Sequence, residues 1–169
     1  MKVLIAYASK TGSTRKAAEE LAKYFKRVDL VDLAKEMPDP SKYTAVVVGS
    51  PIHAGKILKP VRTFLENNEK VLAENRTGYF ICNMMLDQTP MMLKNNFPSS
   101  ISRTAVAMDS FGGEMKMENA KGFEKFFIKM FTNVMNRKGS NIVEPVIQTD
   151  RIKVFAEQMQ EALELAEED

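Results

Sequence analysis

The strongest constraint on the fold is the stretch VLIAYASKTGSTRKAAEELAKYF, residues 3–25, which passes from strand pattern through a hydroxyl-rich loop into helix pattern. Val3, Leu4 and Ile5 lead through Ala6 and Tyr7 without polar alternation, the pattern of a strand buried on both faces in a helix-covered parallel sheet. Apolar positions return at Ala17, Ala18, Leu21, Ala22 and Phe25, the spacing of one helix face. Ser9, Lys10, Thr11, Gly12, Ser13 and Thr14 therefore join a strand's carboxyl end to a helix's amino end. A helix start has unpaired N–H groups and partial positive charge, so it attracts anions. Gly12 permits close backbone approach, and the hydroxyls of Ser9, Thr11, Ser13 and Thr14 add donors. The loop lacks both the Gly-Lys-Ser/Thr ending of a triphosphate loop and the G-x-G-x-x-G of a dinucleotide site. A single terminal phosphate fits it; the alternative is plain helix capping by Ser13 or Thr14.

The same rhythm recurs down the chain. Val28–Val31 reads as a weaker second strand and Ala45–Gly49 as a strong third, followed by the loop Ser50-Pro51-Ile52-His53-Ala54-Gly55. Pro60 suits the first turn of a helix bearing Val61, Phe64, Leu65, Val71 and Leu72. A fourth strand spans Gly78–Cys82, and the loop Asn83-Met84-Met85-Leu86-Asp87 leads to a short helix ending near Pro98. A fifth strand covers Thr104 to Met108, and the last helix begins near Thr149 or Asp150. Alternating strands and helices predict a doubly wound α/β sheet. Ligands of such sheets bind beyond the strands' carboxyl ends, so the loops after strands one, three and four are expected to converge.

A length of 169 residues with 44% hydrophobic content fits a single domain, residues 1–169, with a helical insert at about 110–148. No stretch approaches the roughly 20 apolar residues of a membrane span, and no signal-peptide pattern opens the chain, so the expected location is cytoplasmic. One cysteine, Cys82, excludes an internal disulfide and a cysteine-ligated cluster, and one histidine leaves a zinc site short of ligands. Redox chemistry then requires a bound organic cofactor.

The loop Ser9–Thr14 and the element order resemble the flavodoxin family, whose phosphate loop for flavin mononucleotide (FMN) reads T/S-x-T-G-x-T. The resemblance implies a flavodoxin-like, five-stranded parallel sheet of order 2-1-3-4-5 with helices on both faces. It also implies an FMN-binding electron carrier working between redox partner proteins, with nucleic acid not among the partners. By position, Ser9, Lys10, Thr11, Gly12, Ser13 and Thr14 would hold the phosphate. Pro51, Ile52, His53, Ala54 and Gly55 would line one side of the isoalloxazine ring, and Asn83, Met84, Met85, Leu86 and Asp87 the other. Alternatives remain at single residues. His53 contacts the ring or faces solvent; the Ala54–Gly55 peptide rotates as the flavin is reduced or simply completes a turn; Asp87 accepts a bond from flavin N3 or caps the next helix.

A second resemblance is carried by GFEKFFIKMFTNVMNRKG and TDRIKVFAEQMQEAL, which are similar to the flavodoxin-like, quinone-linked protoporphyrinogen oxidases. It implies the alternative of an oxidoreductase passing electrons to a quinone. Flavodoxins that only carry electrons are usually acidic, whereas this chain is formally +2. A third possibility is a flavin-free docking module. Phe123, Phe126, Phe127, Met130, Phe131 and Val134 recur at helical spacing within residues 121–138, ringed by lysines and Arg137. Such a helix packs on its own domain, forms a partner or dimer surface, or lies in a membrane interface. Core packing predicts that whichever of Phe126→Ala and Phe127→Ala truncates the buried ring destabilises the fold by about 3–5 kcal/mol in thermal denaturation. Unchanged melting in both, with loss of partner or vesicle binding, identifies a docking helix instead.

Overall fold

All five residues of β1 (Val3–Tyr7) are buried, because the strand lies inside a sheet with a helix layer on each face. In the computed structural model, which describes residues 1–113 and 146–168, β1 pairs in parallel with β2 (Val28–Asp32) and with β3 (Ala45–His53). The ladder continues in parallel from β3 to β5 (Arg76–Cys82) and from β5 to β6 (Ala107–Ser110). The expected order 2-1-3-4-5 is therefore present as β2-β1-β3-β5-β6, with a two-residue strand β4 (Lys56–Ile57) added antiparallel to the end of β3.

The helices are α1 (Ser13–Ala22), α2 (Lys59–Glu74), α3 (Thr89–Asn96), α4 (Ser99–Ser102) and α5 (Thr149–Glu168). Val3, Ile5 and Tyr7 join Leu21 of α1 and Ile152, Phe155 and Met159 of α5 in one core. Leu4 and Ala6 join Phe64 and Leu72 of α2, Leu93 of α3 and Ile101 of α4 in the other. Alternate residues of one strand thus feed opposite cores, which is why the strand shows no polar alternation.

Element ends differ from expectation for local reasons. Helix α1 stops at Ala22 rather than continuing to Phe25, because the chain tightens: Tyr24 N–H donates to Leu21 C=O (3.1 Å) and Phe25 N–H to Ala22 C=O (3.2 Å). Strand β6 starts at Ala107 rather than Thr104, since the Thr104 hydroxyl donates to Ile101 C=O (3.2 Å) and closes a turn after α4. Within α2, Asn68 leaves helical geometry (φ −123°, ψ 16°) while its amide donates to Phe64 C=O at 2.9 Å, a side chain competing with the helix ladder. Beyond β6 an antiparallel bridge joins Gly112 to Ile147, and Gln148 N–H donates to Phe111 C=O at 2.9 Å. The aromatic segment 121–138, with its expectations, lies outside the described residues.

One close approach pins the centre of the sheet. Gly49 of β3 is the register partner of Phe80, and a Cβ there would stand 2.1 Å from Phe80 Cζ. The Phe80 ring cannot move away cheaply, because it is fully buried and stacked on Phe111 with centroids 4.5 Å apart. Gly49→Ala is expected to lower stability by at least about 1–3 kcal/mol, the usual cost of overpacking, read from the midpoint of urea unfolding.

Candidate functional site

Because neighbouring strands β1, β3 and β5 run in parallel, their carboxyl ends deliver the three loops to one edge of the sheet. The first loop is shaped by its own backbone. Gly12 is the N-cap of α1 in left-handed geometry (φ 98°), its N–H donates to Ser9 Oγ at 3.0 Å, and its C=O accepts the first helical bond from Lys16 N–H at 3.0 Å. Ser13 and Thr14 are the first helical residues, so neither caps, and the helix has no side-chain cap. Lys10 and Thr11 are exposed, Ser9 and Gly12 half-buried, Ser13 and Thr14 buried.

Four features make this helix start suited to an anion. Its first turn holds no carboxylate, and among the described residues no side chain caps it and nothing lies within 4 Å of where a Gly12 Cβ would stand. Thr14 Oγ1 is buried without a hydrogen-bond partner of normal geometry, an orphan that ordinarily requires a ligand or water. The nearby Cys82 thiol is a poor substitute: burial pushes its pKa up to about 12, with the Thr14 hydroxyl acting weakly in the other direction.

The second segment is a hairpin rather than a loop. Strand β3 continues through Pro51, Ile52 and His53, then turns at Ala54 and Gly55 so that Ile52 faces Ile57 and His53 faces Lys56. Both turn residues have positive φ, 49° and 77°, the type I′ geometry that matches strand twist. Asn96 of α3 clamps it: Nδ2 donates to Gly55 C=O (3.0 Å) and Met92 C=O (2.9 Å), while Oδ1 accepts from Ile57 N–H (2.9 Å). From the other side, Ser50 Oγ accepts Leu58 N–H at 3.0 Å. His53 is exposed, and Lys10 Nζ lies 3.1 Å from its Nε2, so the two segments touch.

In the third loop the structure turns Asn83 inward. Its Nδ2 donates to Met85 C=O (2.7 Å) and toward Met92 Sδ (3.1 Å), and its Oδ1 accepts from Ser110 Oγ. Asn83 therefore supports the loop from beneath, while Met84, Met85 and Leu86 are half-buried and Asp87 is exposed in a single 3₁₀ turn, Leu86–Gln88. Asp87 does not cap α3, whose N-cap is Gln88. Asn96, Ser50 and Ser110, which fix the geometry of this edge, escape sequence reading because nothing local distinguishes them from ordinary surface polar residues. A cavity of about 290 Å³ between Phe25, Arg27 and Leu163 lies instead beside Val3 at the start of β1 and shares no residue with these loops.

Residues 4–141 match the family model described as Flavodoxin domain. No curated protein matches the sequence. Among solved structures, the chain is similar to the Streptococcus pneumonia TIGR4 flavodoxin at 14% identity and TM-score 0.56, covering 96% of this chain and 99% of that one. It is similar to a mutant Fusobacterium nucleatum flavodoxin bound to flavin mononucleotide at 13% identity and TM-score 0.51, covering 95% and 96%. The rubredoxin oxygen:oxidoreductase of Desulfovibrio gigas matches at 18% identity and TM-score 0.48 over 96% of this chain, which spans 37% of that protein's length. At these identities the likeness is one of fold.

Ala54 carries the hairpin's strain, since a residue with a Cβ at positive φ costs about 1–2 kcal/mol relative to glycine. Ala54→Asn, which suits the first position of a type I′ turn, is expected to raise stability by up to about 1 kcal/mol in chemical denaturation, with the fold unchanged.

Proposed function

Since the chain belongs to the flavodoxin-domain family, we propose that it binds FMN at this edge and carries electrons singly between redox partner proteins. The observation that carries the reading is the start of α1 at Gly12, which among the described residues has no side-chain cap, beside a buried Thr14 hydroxyl without a partner among them, and flanked by the β3–β4 hairpin and the loop of Met84–Asp87. When bound, FMN supplies the redox chemistry through its isoalloxazine ring. The chain's own residues bind and orient. The helix start and the hydroxyls of Thr11 and Thr14 hold the phosphate, with Ser9 keeping Gly12 in its left-handed geometry. Pro51 to Gly55 form one wall, held by Asn96, and Met84 to Asp87 the other, held by Asn83. The half-buried Met84, Met85 and Leu86 restrict water on their side, and Lys10, held against His53, places a cation between the phosphate loop and the hairpin.

The alignment of 96% of the chain with a Streptococcus flavodoxin at TM-score 0.56 supports the flavodoxin-type reading. The purified protein is expected to be yellow or to bind added FMN with quenching of its fluorescence. Thr11→Ala and Thr14→Val should each weaken that binding by about 1 kcal/mol, roughly fivefold; unchanged affinity in both removes the phosphate assignment. Stepwise photoreduction should resolve two one-electron stages. A single two-electron bleaching instead supports the quinone-linked oxidoreductase.

A further inference from the structure

Charges at the loop edge run against what the helices themselves prefer. In a parallel sheet the starts of α1, α2 and α3 all lie at this edge, and helix starts are stabilised by carboxylates and weakened by cations. None of the three first turns contains an acidic residue. That of α1 carries Arg15 and Lys16, and that of α2 carries Lys59 and Arg62, which share a helix face at a spacing of three. Arg15 is engaged locally, donating to Tyr7 Oη at 3.2 Å and lying 3.9 Å from Asp32. Lys56, next to the turn, and Lys59 and Arg62 are exposed and form no ion pair among the described residues.

The carboxylates of this edge do not cancel them. Asp109 is closed off by Arg151, whose Nε donates at 3.0 Å, and Asp32 lies between Arg15 and Lys35. That leaves two exposed carboxylates, Asp87 in the loop before α3 and Asp150 in the first turn of α5. Met91, in the first turn of α3, is 54% exposed, and Asn96 ties that helix to the hairpin that carries Lys56. Methionine is a soft, adaptable contact residue. Local preferences broken without a gain in stability are expected where function requires it.

We propose that the hairpin and the start of α2 form the docking surface for an acidic redox protein, with Lys56, Lys59 and Arg62 facing carboxylates of the partner and Met91 making the apolar contact. The inference rests on the reading of this edge as the FMN site and names the kind of partner that approaches it. A protein fits better than a lipid surface. Interfacial insertion needs several exposed aromatic or aliphatic side chains, and Met91 is the exposed large apolar residue of α2, α3 and the hairpin among the described residues. Complementary charge chiefly accelerates encounter and loses effect as salt rises.

The test uses the FMN-loaded, photoreduced protein and two one-electron acceptors of opposite charge, an acidic two-iron ferredoxin and a basic cytochrome c, with the Lys56→Glu/Lys59→Glu variant alongside. Rates of electron transfer are followed from low to high ionic strength. The ferredoxin rate is expected to fall as salt rises, and at low salt to be about tenfold or more lower in the variant, with parent and variant converging at high salt. The cytochrome c rate should show the reverse dependence. A ferredoxin rate that rises with salt, or that the double reversal leaves unchanged, overturns the surface. If the protein takes up no FMN, the functional reading fails by itself, and the surface is decided separately by titrating the flavin-free chain with the same ferredoxin. Amide shifts centred on residues 53–62 and lost in the variant uphold it, and their absence overturns it. Binding to phosphatidylglycerol vesicles without response to the ferredoxin also overturns it, in favour of a membrane.

Discussion

Two parallel strands cannot be joined by a tight turn, so the chain must cross back between them, and the helices that directly follow β1, β3 and β5 in these crossovers start at the same edge. Everything functional in the structure follows from that geometric necessity. The pairing of β1 with β3, and of β3 with β5, sets three loops side by side at about strand spacing, without requiring any loop to find its neighbour. The helix termini add a shared electrostatic bias at no cost in side chains. Specific residues then only refine an edge that topology has already made attractive to negative charge.

How well the sequence reveals this depends on how much of the signal is local. The apolar run Val3–Tyr7 is legible because burial on both faces leaves no room for a polar residue, and the helix start after Gly12 is legible because its composition has few other uses. The hairpin is not. Gly55 marks a turn, but Ala54-Gly55 is not the Asn-Gly that marks type I′, so the strand's extension through His53 is not signalled locally and is fixed by Asn96, some forty residues away. The late start of β6 is similar, since the apolar run Ala105–Met108 suggests a strand from Thr104 while one hydroxyl, that of Thr104, holds the turn closed. Asn83 shows the limit at the site. Its place after β5 is readable, but the inward rotation of its side chain is decided by Ser110 on the next strand and Met92 on the next helix.

Those buried polar contacts give the edge its rigidity. A hydrogen bond contributes only about 0.5–1.5 kcal/mol net, yet a buried amide deprived of partners costs more than that, so a satisfied network favours one arrangement over many. Asn96 joins the hairpin to α3, Asn83 joins the loop to β6, and Ser50 joins β3 to the start of α2. Each wall of the site is thereby tied to an element other than the strand that supplies it. A wall built in this way keeps its shape when a ligand arrives, which lowers the ordering cost of binding.

The bridge between Gly112 and Ile147 bears on how the chain leaves the sheet and returns to it. It holds Gly112 against Ile147 beside Phe111, so the chain just after β6 and the chain just before α5 are tied together by backbone pairing. The entropy of bringing two points of a chain together grows only logarithmically with the number of residues between them, each doubling costing about 0.6 kcal/mol. On that term alone, a change in the number of residues between these two positions carries little closure cost while the bridge holds. The bridge thus sets where the chain leaves the sheet and where it rejoins it ahead of α5, independently of the strand pairing that orders β1, β3 and β5.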